Sequence, residues 1–213
     1  MGKVLGGIVL AMGIGSPAVA EPVVIAALGD SLTQGYGLPQ EQGFVPQLEN
    51  WLNANGSEVQ MINAGVSGDT TAGGLARIDW TLTPEVDALI VTLGGNDFLR
   101  GIDPAVSRTN LEGILQKAQA QNLPVLMIGM QAPGNFGPAY KRAFDTMYPE
   151  LSQQYGTLLV ESFLGALGET PAEVTPSLQP DGIHPNAQGV AKIVASVGPS
   201  VVQLVDLVTA GKE

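Results

Sequence analysis

Cysteine is absent from this 213-residue chain. That excludes disulfides, thiol nucleophiles and zinc–thiolate sites together. Histidine is almost absent, His184 being the only one, so a zinc site built from several imidazoles is excluded as well. Positive charge is scarce: 9 Lys+Arg face 20 Asp+Glu, a formal net charge of −11. Such a surface repels nucleic-acid phosphates and anionic headgroups, and no basic run or basic helix offsets it. A nucleic-acid partner is therefore not expected. Repeats, low-complexity tracts and linkers are lacking too, and the length suits one domain. What is plentiful is apolar side chain, at 45% of residues, enough for a sizeable core and too much for a disordered chain.

The N-terminus is organised differently from the rest. Lys3 precedes an uncharged apolar run from Val4 to Gly15, Ser16-Pro17 breaks it, and Ala18-Val19-Ala20 has the Ala-x-Ala form of a cleavage site. Residues 1–20 are read as a secretory signal, too short to span a bilayer; the alternative is a first buried strand or helix. Cleavage after Ala20 leaves residues 21–213 as the mature domain, periplasmic or secreted. No later segment reads as long and apolar enough to cross a membrane, so no stable span is expected after signal removal.

Five apolar runs of strand length follow: 23–28, 58–62, 88–93, 124–129 and 157–161. Most are continuous rather than alternating, as in strands covered on both faces. Helix-length stretches separate them, over 43–54, 69–80 (capped by Asp69 or Thr70), 104–121, 138–155 and 186–208. Strand–helix alternation predicts right-handed crossovers and an open parallel sheet with helices on both faces. Ligands bind such sheets beyond the carboxyl ends of the strands.

At those ends stand the polar motifs. The first strand runs into Gly29-Asp30-Ser31-Leu32. The second is followed by Asn63-Ala64-Gly65-Val66-Ser67-Gly68-Asp69-Thr70, the third by Gly94-Gly95-Asn96-Asp97, and Asp181-Gly182-Ile183-His184-Pro185 precedes the last helix. Ser31 is a candidate nucleophile; a plain turn of Gly, Asp and Ser is the alternative. A serine hydroxyl needs a base, and the chain has one histidine. Asp181, three residues before His184, can reach Nδ1, orient the ring and leave Nε2 for the serine; the alternative is a capped helix start with a surface histidine, with Pro185 opening that helix. Candidate donors to a tetrahedral oxyanion are the Ser31 and Gly68 backbone N–H groups and the Asn96 side-chain amide; the alternatives are a turn before a helix at Gly68 and a plain turn residue at Asn96. Asp30, Asp69 and Asp97 read as caps or supports. The segment from Phe98 and Leu99 to Ile102, with Gly101 as a hinge, reads as a loop that helps form an acyl pocket; the alternative is a loop that only packs on a helix.

In this order the four blocks, Gly29-Asp30-Ser31-Leu32, Gly68, Gly94-Gly95-Asn96-Asp97 and Asp181-x-x-His184, resemble those of the GDSL, or SGNH, hydrolases. The finer wording of 63–71 and of 130–137 is similar to the secreted arylesterase, acyl-thioesterase and lysophospholipase I subgroup. The resemblance implies a three-layer α/β/α sandwich on a five-stranded parallel sheet, flavodoxin-like in strand order, with no metal or organic cofactor. It implies Ser31, Asp181 and His184 as the triad and Ser31, Gly68 and Asn96 as the oxyanion hole. Thr33 stands where the Gly-x-Ser-x-Gly elbow of ordinary α/β-hydrolases needs glycine. Phe98 departs from the glycine expected at that place in near relatives. The function expected is a serine esterase acting on carboxylic esters, thioesters or lysophospholipids, as a monomer. A carbohydrate O-acetylesterase of the same fold and a non-catalytic binding module are the alternatives.

Overall fold

The computed structural model describes Gly2 and residues 21–212; the expected signal at 1–20 lies outside the described residues. Five strands form one wholly parallel sheet: β1 (Val23–Gly29), β2 (Val59–Gly65), β3 (Ala88–Thr92), β4 (Val125–Ile128) and β5 (Leu158–Val160), in the order β2-β1-β3-β4-β5. This is the flavodoxin-like order. The central strands are buried nearly end to end, whereas the edge strands β2 and β5 are partly exposed.

Among the described residues, eight α-helices connect and cover the strands: α1 (Ser31–Gln34), α2 (Phe44–Ala54), α3 (Thr71–Thr81), α4 (Gly95–Leu99), α5 (Pro104–Ala120), α6 (Pro138–Tyr155), α7 (Pro171–Val174) and α8 (Ala187–Lys212). Right-handed crossovers put α2 on one face and α3, α5 and α6 on the other, because the chain steps from β1 to β2 in one direction and then reverses. Accordingly α2 packs on α8, while α3, α5 and α6 pack in a row. The core between the layers holds Ile25, Leu28, Leu89, Ile90 and Leu126 from the sheet, with Leu48, Ile78, Ile114, Phe144 and Ile193 from the helices. Thr70, not Asp69, caps α3, accepting from the Gly73 N–H, and Asp103 caps α5 ahead of Pro104.

Three expectations need correction. Helix α8 does have the length and composition of a membrane span over Ala187–Gly211. Its apolar face, including Val190, Ile193, Val194, Val197, Val201 and Leu204, is buried in the core, which accounts for its apolarity. Pro185 does not open α8; it bridges to Leu178, and Asn186 caps the helix by accepting from the Gly189 N–H. The segment from Phe98 to Ile102 is not a loop throughout, since Phe98 and Leu99 belong to α4.

Candidate active site

The strand order reverses between β1 and β3, and the crevice beyond their carboxyl ends is where such folds bind ligands. Ser31 and Asn96 stand at those ends. Asp30 caps α1 by accepting the Leu32 N–H at 3.0 Å, which makes Ser31 the first helical residue. The helix sits directly on the end of β2: a Cβ on Gly65 would lie 2.3 Å from the Gln34 nitrogen. Only glycine tolerates that approach.

The Ser31 Oγ lies 2.8 Å from His184 Nε2, and His184 Nδ1 lies 2.7 Å from Asp181 Oδ2. The other Asp181 oxygen accepts the backbone N–H groups of Ile183 and His184, at 2.9 and 3.0 Å. These bonds, the one from the imidazole first, hold the Asp181 carboxyl down at about 2. It is therefore an anion throughout the neutral range, and as an acceptor it fixes the proton on Nδ1. Nε2 is then left to accept from the Ser31 hydroxyl. Two residues that carry no motif in the sequence complete this corner. Tyr36 lays its ring 4.6 Å from the His184 ring. Gln179 donates from Nε2 to the Tyr36 and Pro185 carbonyls and from its backbone N–H to the His184 carbonyl, tying the histidine loop to the segment after α1.

Opposite lie Gly68 and Asn96. Gly68 has φ +82°, and its carbonyl accepts from Arg100 Nη2 at 2.7 Å. The next residue, Asp69, is gripped by Arg77, whose Nε donates to it at 2.6 Å. Arg77 Nη1 and Nη2 donate to the Ala64 and Gly29 carbonyls, at 2.7 and 2.8 Å. One guanidinium thus ties the Gly68 turn to the ends of β1 and β2, which suits its planar fork of donors. Asn96 donates from Nδ2 to Asp30 Oδ2 at 3.2 Å. Asp30 is 1% exposed; burial pushes its carboxyl up to about 6, against the opposing pull of the Leu32 and Asn96 donors and of His184. Asp97 is wholly buried and accepts from the Thr71 N–H, the Thr71 hydroxyl and the Ser107 hydroxyl, joining α4 to α3 and α5. Before α4, Gly94 adopts φ +120°, and a Cβ there would meet the Tyr148 hydroxyl at 2.2 Å.

Ser31, Gly68, Asn96 and His184 line one cavity of about 520 Å³, with Asp181 behind the histidine. Phe98 and Leu99 line it as well, with Met130, Leu164, Val174 and Leu178. An apolar hollow with a few converging polar groups is the usual form of a small-molecule site. Phe98 stands edge-on to Phe144, ring centroids 5.5 Å apart, and is anchored by it. Among the described residues, no group of three or more His, Asp or Glu is placed to hold a metal ion.

A parallel sheet with a serine, a histidine and an aspartate hydrogen-bonded in series at its switch point defines a class of hydrolytic enzyme. The chain belongs to the GDSL-like lipase/acylhydrolase family, which matches residues 27–192. It is 40% identical to the esterase TesA of Pseudomonas aeruginosa, over 86% of this chain and 89% of that protein. It is 35% identical to thioesterase 1/protease 1/lysophospholipase L1 of Escherichia coli, over 79% and 77%. Among solved structures it resembles AlinE4, a SGNH-hydrolase family esterase, with a TM-score of 0.72 at 44% identity, covering 87% of this chain and 98% of that one.

Proposed function

We propose that this ester-bond hydrolase works through an acyl-enzyme on Ser31. The Ser31 Oγ attacks the acyl carbonyl carbon while its proton passes to His184 Nε2. Asp181 holds the Nδ1–H and stabilises the imidazolium. The tetrahedral oxyanion accepts hydrogen bonds from the Ser31 and Gly68 N–H groups and from Asn96 Nδ2. Collapse breaks the bond to the leaving oxygen or sulfur, and His184 returns the proton to it. Water then attacks the acyl carbon, its proton going to His184, and the acid leaves as Ser31 regains its hydrogen.

The observation that carries this reading is the continuous hydrogen-bonded series from Ser31 through His184 to Asp181, opening on an apolar cavity. A binding module has no need of that series. The apolar lining favours an alkyl or aryl acyl group over an acetylated sugar, and hence fatty acyl esters, acyl thioesters or lysophospholipids. We place the mature enzyme, residues 21–213, outside the cytoplasm, on the strength of the Ala-x-Ala signal pattern. Ser31→Ala is the direct test. The purified variant should keep its fold and lose turnover of p-nitrophenyl butyrate; turnover near the wild-type rate would contradict the mechanism.

A further inference from the structure

The nucleophile and its base come from segments 153 residues apart, and something must hold them at proton-transfer distance. The Asp181 bonds to the Ile183 and His184 N–H groups do not, because they lie inside the histidine loop and move with it. Nor do the Asn186 bonds to Ser177, Pro176 and Leu178, which join the loop to the chain just before it. Among the described residues, two hydrogen bonds cross from residues 178–186 to residues 31–37. One is the contact between His184 Nε2 and Ser31 Oγ; the other runs from Gln179 Nε2 to the Tyr36 carbonyl at 2.8 Å. That second bond belongs to a circuit. The Ser31 carbonyl accepts from the Tyr36 N–H at 3.1 Å, the Tyr36 carbonyl accepts from the Gln179 side chain, and the Gln179 N–H donates to the His184 carbonyl at 2.7 Å. The circuit starts on the backbone of the nucleophile and ends on the backbone of the base.

We propose that Gln179 is a positioning residue that sets the separation of Ser31 and His184 through this circuit. The proposal rests on the acyl-enzyme reading and gives Gln179 no contact with substrate, since it does not line the catalytic cavity. Its donors are fully committed. Nε2 carries two hydrogens; one goes to the Tyr36 carbonyl and the other to the Pro185 carbonyl, at 2.9 Å. Together with the backbone N–H, they grip His184 and the residue after it. The amide also has a fitted seat: Gly37 has φ +75°, and a Cβ there would lie 2.2 Å from Gln179 Oε1. The Tyr36 ring stands 4.6 Å from the imidazole, so the residue that Gln179 holds is also the one His184 rests against. A general base must sit within roughly 2.6–3.2 Å of the proton donor, and a misplacement of about 1 Å can cost on the order of 10²-fold in rate. Without the Gln179 amide, the histidine loop is joined to the serine segment only by the catalytic bond and the Tyr36 ring contact.

Gln179→Met keeps the length of the side chain and removes both of its donors. With p-nitrophenyl butyrate its kcat should fall by about ten- to a hundredfold, with KM within about twofold of wild type. A fluorophosphonate separates positioning from loss of structure. The variant should still reach one label per chain, but more slowly, by a factor that matches its loss in kcat/KM; a residue that only stabilises the fold would lower the final stoichiometry and leave the rate of the folded fraction unchanged. Gly37→Ala crowds Gln179 Oε1 without altering the Gln179 donors, and it serves if Gln179→Met does not fold; the same loss of kcat at full labelling is expected. Wild-type kcat in a folded variant, a loss confined to KM, or a labelled fraction that falls in place of the rate overturns the proposal and leaves the triad standing. A wild-type enzyme that takes up no label overturns the acyl-enzyme reading itself.

Discussion

Asp30 offers a perturbation whose size follows from its surroundings. Its carboxyl is buried and holds its proton up to about pH 6 in the folded protein, whereas its ordinary value is 3.8. Between those values the native state binds more protons than the unfolded state, so stability falls as pH rises through the window. The loss is complete above about pH 6 and amounts to roughly 3 kcal/mol, at 1.36 kcal/mol per unit. Asparagine cannot titrate. Asp30→Asn should therefore gain about 2.4 kcal/mol relative to wild type between pH 4 and pH 7, since about 0.5 kcal/mol is already lost at pH 4. The amide oxygen can still accept from Leu32, but the amide nitrogen faces the Asn96 donor. That mismatch costs about 1–3 kcal/mol at every pH and does not enter the pH-dependent difference. Urea unfolding of both proteins at several pH values from 4 to 7 measures it. Parallel stability curves would refute the assignment of a buried, titrating carboxyl to Asp30.

Two further substitutions probe the site. In the proposed mechanism Asn96 is a donor to the oxyanion, so in Asn96→Ala steady-state kinetics should show kcat falling by on the order of 10²–10³ with little change in KM; an effect confined to KM would make Asn96 a ground-state contact. Asp181→Asn replaces an anion held at about 2 with a neutral amide, so kcat should fall by on the order of 10²–10⁴ through loss of the correct tautomer. Wild-type rates from the purified variant would place the support of His184 elsewhere.

The sheet was legible because its signal is local. The run Ala88 to Leu93 is apolar but for Thr92, and β3 is buried along its whole length. Ser31, Asn96 and His184 were legible because each follows a strand or precedes a helix, where this architecture collects its polar groups. Arg77 was not, since its acceptors at Ala64 and Gly29 lie 13 and 48 residues away and an isolated arginine in a helix carries no sign of them. Tyr36 and Gln179 were hidden for the same reason; Gln179 meets the Tyr36 carbonyl across 143 residues. Asp30 was read as a support, and it is one. Its bond to Asn96 spans 66 residues and exists only because β1 and β3 are neighbours. The membrane-like length of α8 is masked in the sequence by Lys192, Pro199 and Asp206, which interrupt its apolar residues; a core helix and a span differ in what surrounds them, which sequence does not state.

Covalent labelling tests the central claim most directly. Wild-type protein treated with a fluorophosphonate should gain one phosphonyl group, and peptide mapping by mass spectrometry should locate it on Ser31. His184→Ala should label far more slowly, because the same base that activates the serine toward an ester activates it toward phosphorus. Label on another residue, or equal labelling rates with and without His184, would contradict a nucleophilic serine paired with that histidine.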